Sequence, residues 1–103
     1  MKLKWNLSAK SDMRQVARYV NRKFGRKARQ EFMQRVKDVE KMIMRQPNIG
    51  SIDPLYADRP LTYRSVIING LNKMVYRIDG DIIYIVDFWD TRREPKNQAR
   101  QTK

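Results

Sequence analysis

The chain has 103 residues, with 23 Lys and Arg against 11 Asp and Glu, for a formal charge of +12. That is the length of one domain with one core, and the charge favours an anionic partner: nucleic acid, an acidic protein or an anionic membrane surface. There is neither Cys nor His, which excludes disulfides, thiol chemistry, a histidine general base, a Ser-His-Asp triad and a histidine-bound zinc. The longest apolar run, Ile82 to Val86, is far too short to span a bilayer, so no membrane partner is expected. The opening MKLKWNLS has no apolar h-region, so secretion is not expected and a cytoplasmic location is.

Lys2 to Leu7 alternates, with Leu3, Trp5 and Leu7 on one side and Lys2, Lys4 and Asn6 on the other. This predicts a half-buried edge strand. Ser8 is placed to cap a first helix, in which Met13, Val16, Ala17, Val20 and Phe24 recur at helical spacing. Gly25 suits its C-terminus. A second helix carries Ala28, Phe32, Val36, Val39 and Ile43 and stops before Pro47. The two form an αα-hairpin, each helix with one apolar stripe and one basic face. Gln46 to Pro60 holds three prolines and a glycine and reads as an irregular connector.

From Leu61 to Glu94, three runs rich in β-branched and aromatic residues are split at Asn69-Gly70 and Asp79-Gly80-Asp81. Such dipeptides tolerate positive φ and suit hairpin turns. A three-strand antiparallel meander is expected, and with it an α+β fold, the helix pair covering one face of the sheet. Residues 1–95 form the single domain, and 96–103 a loosely ordered basic tail.

With even-length loops in both hairpins, strand parity assigns the faces. One carries Arg64, Val66, Ile68, Lys73, Val75, Arg77, Ile82, Tyr84, Val86 and Phe88. The other carries Tyr63, Ile67, Met74, Tyr76, Ile78, Ile83, Ile85 and Trp89, and is expected under the helices. A three-residue loop in either hairpin inverts part of this assignment. Asp87 and Asp90 fall on opposite faces, and no other acidic cluster has metal-ligand spacing, so neither a metal nor another cofactor is expected. Trp5 and Trp89 read as packing residues.

The order of these elements, together with Lys73-Met-Val-Tyr-Arg-Ile78 and Phe88-Trp-Asp-Thr-Arg-Arg-Glu-Pro95, resembles the RelE/ParE superfamily of type II toxin–antitoxin toxins over essentially the whole chain. The first helix, from Ser8-Ala-Lys-Ser-Asp12 to Phe24-Gly25, and the Ala28/Phe32 opening of the second are similar to the ParE-like branch. The resemblance implies one of two actions. RelE-like toxins cut mRNA on the ribosome with basic side chains of the sheet, and Arg64, Lys73 and Arg93 stand where those enzymes carry catalytic cations. ParE-like toxins inhibit DNA gyrase without a nuclease site.

Val66 departs from the RelE-like lysine, and the chain has no His and no Tyr after Pro95. RNA 2′-hydroxyl attack then lacks its usual proton shuttle, which favours the ParE-like action and a non-enzymatic toxin. The resemblance also implies a cognate antitoxin that neutralises the toxin, with operator DNA bound only through it. The residues expected at the target or antitoxin surface are Arg64, Val66, Ile68, Lys73, Arg77, Tyr84, Arg92 and Arg93. A further alternative is a non-toxic basic nucleic-acid-binding domain. The cations argue against it, being spread over helices, sheet and tail without one stripe.

Overall fold

The computed structural model describes residues 1–91. In chain order the elements are β1 (Lys2–Trp5), α1 (Leu7–Phe24), α2 (Arg26–Arg45), β2 (Ser51–Ile52), a 3-10 turn (Pro54–Tyr56), β3 (Arg64–Ile67), β4 (Asn72–Asp79) and β5 (Ile82–Asp90). The strands form one sheet in the order β1-β5-β4-β3-β2. β1 runs parallel to β5 and the other pairs are antiparallel. The expected α+β architecture is present, with a second edge strand, β2, inside what reads in sequence as irregular connector.

Asn6, not Ser8, caps α1: its Oδ1 accepts from the backbone N–H of Ser8 and Ala9 at 2.9 and 3.2 Å. Leu7 therefore starts the helix and is 86% exposed, instead of continuing the strand's apolar side. Gly25, at φ 96°, ends α1 and begins α2 in a single residue, a left-handed conformation that side chains resist. Ala9, Met13 and Ala17 of α1 and Phe32, Val36, Val39 and Ile43 of α2 pack on the sheet. Phe24 stands 64% exposed at the hairpin tip, against its expected place in the stripe. Trp5 packs on this core, and its Nε1 donates to Glu40 of α2 at 2.7 Å, tying β1 to the helices.

Parity fails in two places. Ile67 faces Lys73, and the Ile68 N–H donates to the Asn72 carbonyl at 2.7 Å, so the β3–β4 loop is the three-residue Asn69-Gly70-Leu71. An odd loop reverses every side chain of β3 relative to the even-loop assignment. Farther on, Val75 faces Asp87 while Tyr76 faces Ile85. Val86 is thus an extra residue, a β-bulge that reverses the rest of β5. The β4–β5 turn does have the expected two residues, Gly80 and Asp81, since Asp79 faces Ile82.

The helix-covered face consequently holds Arg64, Val66, Ile68, Met74, Tyr76, Ile78, Ile83, Ile85 and Phe88, and the other face holds Tyr63, Ile67, Lys73, Val75, Arg77, Ile82, Tyr84, Val86 and Trp89. Arg64, Val66, Ile68 and Phe88 are thereby corrected from the open face to the helix side. Tyr63, Ile67 and Trp89 are corrected in the opposite sense. Asp87 and Asp90 do lie on opposite faces.

Candidate functional site

The face away from the helices was expected to be an open, basic and apolar surface. Much of it is roofed by the chain between β2 and β3. Tyr56, Tyr63, Val75, Val86 and Trp89 form a second, smaller core there. Asp53 positions the roof. Its backbone N–H donates to the Tyr63 carbonyl at 2.8 Å, and its Oδ1 accepts from Leu55 N–H at 3.0 Å, capping the 3-10 turn that Pro54 opens. Its Oδ2 lies 2.7 Å from Lys73 Nζ, and the two side chains are 2% and 12% exposed. The same ammonium sits 4.6 Å from the Trp89 ring centroid. Tyr56 stacks on Tyr63 at 5.1 Å and donates its hydroxyl to Asp87 Oδ2 at 2.9 Å.

Lys73 is therefore the counter-ion of a buried carboxylate, not a cation presented to a substrate. Arg64 is on the other side of the sheet. Its Nη1 donates to the carbonyls of Asn48 and Gly50 at 3.2 and 2.9 Å. Next to it, the Tyr76 hydroxyl donates to the Pro47 carbonyl at 2.6 Å and accepts from the Gly50 N–H at 3.0 Å. Burial raises the Tyr76 phenol above its ordinary value, and the Gly50 hydrogen bond and the Arg64 charge partly offset this. Only glycine fits at position 50, because a Cβ there would lie 2.7 Å from the Tyr76 hydroxyl. Arg64 and Tyr76 thus anchor the chain that leaves α2.

Of the expected surface residues, Arg77 and Tyr84 stay together and partly accessible, the guanidinium 4.6 Å from the ring centroid. Ile68 is fully buried and Val66 packs against the helix-side core. The expected nuclease cations Arg64 and Lys73 are not brought together, and Arg92 and Arg93 lie outside the described residues. Sequence reasoning missed Asp53, Tyr56 and Asp87. Two signals pointed to them: Asp53 directly before Pro54, a capping pattern, and a lone carboxylate inside the apolar run Ile85-Val86-Asp87-Phe88-Trp89, which needs a buried partner.

A groove of about 590 Å³ separates α1 from the β3–β4 loop and the end of β5. Val16, Tyr19, Val20, Phe24 and Leu71 line its apolar part, and Arg18 and Arg22 stand on its helical wall. Tyr19, Phe24 and Leu71 are 45, 64 and 44% exposed, so the groove presents apolar surface to solvent. Among the described residues no group of three or more His, Cys, Asp or Glu is gathered as a metal site requires.

No curated protein matches the chain. Among solved structures, a chain of one described as the chromosomal ParDE TA system from P. aeruginosa superposes with a TM-score of 0.70 at 20% identity. The match covers 87% of this chain and 95% of that one, and it establishes a shared fold. The model of the family described as the ParE toxin of type II toxin-antitoxin system, parDE, matches residues 3–95. With the strand, helical hairpin and five-stranded sheet all inside that match, the chain belongs to the ParE toxin family of type II toxin–antitoxin systems.

Proposed function

We propose that this toxin arrests growth by binding DNA gyrase, without cutting nucleic acid, and that a cognate antitoxin neutralises it in the cytoplasm. The observation that carries the reading is the separation of Arg64 and Lys73 to opposite faces of the sheet, each already bonded to the protein itself. Phosphodiester cleavage by cations alone needs them converged on one phosphorane, and this chain has neither His nor a Tyr after Pro95 to move the proton. Binding makes no such demand. Arg77 and Tyr84, with Arg92 and Arg93, are the proposed target contacts. The groove between α1 and the β3–β4 loop suits the apolar side of an amphipathic antitoxin segment.

The test has three arms. Induction of the chain alone is expected to stop growth, and co-expression of the antitoxin from the neighbouring gene to restore it. Purified toxin is expected to block gyrase supercoiling and to leave message intact in a translating extract. Cleaved message with normal supercoiling would establish the ribosome-dependent endoribonuclease instead.

A further inference from the structure

A second cavity, of about 480 Å³, opens at the tip of the helical hairpin and is lined by Arg18, Asn21, Arg22, Arg26 and Arg29. Each lining side chain is a hydrogen-bond donor, four are permanent cations, and all five are exposed. None of the four arginines has a carboxylate within ion-pair distance among the described residues. The sequence around them explains why: from Met13 to Gln30 the chain carries five arginines and two lysines and not one Asp or Glu. Solvated basic faces usually intersperse the two signs. Here the cations are left to repel one another across a concave surface, and an anion relieves that repulsion.

We propose that this arginine cavity is a binding site for the phosphodiester backbone of nucleic acid. Three observations select this ligand. First, no apolar side chain lines the cavity, whereas a docked peptide needs an apolar centre to its interface. Second, the cations come from two helices, so they are offered to more than one anionic group at once. Arg18 and Arg22 stand one turn apart on α1, about 6 Å along its axis, and Arg26 and Arg29 line the cavity from the start of α2. Third, cations shared between two helices suit a polyanion, which presents its charges in series, about one per 3.4 Å of axis on each DNA strand. Guanidinium forks hold phosphate oxygens bidentately. Four of the basic residues are therefore gathered at the hairpin tip. Phosphate contacts carry no sequence information, so the site confers adhesion to nucleic acid and not choice of sequence.

The experiment measures fluorescence anisotropy of a short labelled DNA duplex titrated with the full chain over a series of salt concentrations. The quadruple variant Arg18→Gln/Arg22→Gln/Arg26→Gln/Arg29→Gln is expected to lose at least about tenfold in affinity. Its salt slope should shrink by about 3 to 4, at about 0.9 per phosphate released. The control variant Lys2→Gln/Lys37→Gln/Lys41→Gln/Arg45→Gln has the same net charge and is expected to keep the wild-type slope. Equal losses in the two variants would reduce the effect to bulk charge and overturn the site. So would displacement of the duplex by inorganic phosphate beyond what chloride does at equal ionic strength, or tighter binding of poly-glutamate than of duplex. If the quadruple variant melts early, single Arg18→Gln and Arg29→Gln variants decide, each expected to lower the slope by about 0.9. Gyrase is absent from the assay, so its outcome and that of the supercoiling test are independent.

Discussion

Removing the Lys73 ammonium would strand the Asp53 carboxylate under the roof, where only 2% of its side chain meets solvent. Breaking one side of such a pair costs about 3–5 kcal/mol, mostly as an uncompensated buried charge. Lys73→Ala is therefore expected to lower the midpoint in urea, while Asp53→Asn/Lys73→Met should cost much less than the sum of its single changes. Additive costs would show that the pair is not coupled. Arg64 and Arg77 make a second contrast. Arg64→Ala removes the donor to two backbone carbonyls and should destabilise by about 1–3 kcal/mol, whereas Arg77→Ala should leave the melting temperature nearly unchanged. At Tyr76, burial raises the phenol above its ordinary value of 10.0. The unfolded chain then loses its proton first, so the Tyr76 contribution to stability is constant below about pH 10 and falls as pH rises beyond it. Tyr76→Phe should remove that part of the alkaline slope, and a slope identical to wild type would sink the assignment.

At the scale of elements, the helices were legible because 3.6-residue periodicity is local. Met13, Ala17, Phe32, Val36, Val39 and Ile43 are buried where the spacing puts them. The strands were legible as segments, but their faces were not. A strand's orientation depends on an integer, the parity of loop length plus bulges, which composition does not carry. Asn69-Gly70 matches a two-residue turn by residue type, yet Leu71 is part of the loop and Asn69 Oδ1 closes it by accepting from Asn72 N–H and Nδ2 at 3.3 and 3.0 Å. Asn6→Ala tests the start of α1. Loss of the cap should cost about 1 kcal/mol, seen as a fall of about 4–8 °C in melting temperature. Ser8→Ala should cost less, since only Asn6 accepts from the helical N–H groups.

Over the whole molecule, two layers meet at one sheet, and its two faces carry unequal loads. The helix-covered face holds the larger core, with Ile83 and Ile85 fully buried. Ile85→Ala should cost about 2–5 kcal/mol and abolish toxicity by unfolding, with antitoxin binding and growth arrest lost together. A change in the arginine cavity should instead spare the fold. The +12 charge then divides into cations with separate work: Lys73 and Arg64 hold the connector on the sheet, and Arg18, Arg22, Arg26 and Arg29 face outward without carboxylate partners among the described residues.

By itself the sequence determined the number and order of the helices and main strands and the excess of cations. It also determined the absence of histidine and cysteine chemistry and the likeness to a toxin family, because each rests on residue type and local spacing. Tertiary structure alone decided which cations are free. Whether Lys73 meets solvent or Asp53, and whether Arg64 shares its face, turns on a three-residue loop, one bulge at Val86 and the folding back of residues 53–63. Those are long-range pairings, in which one added residue inverts a face while leaving composition almost unchanged.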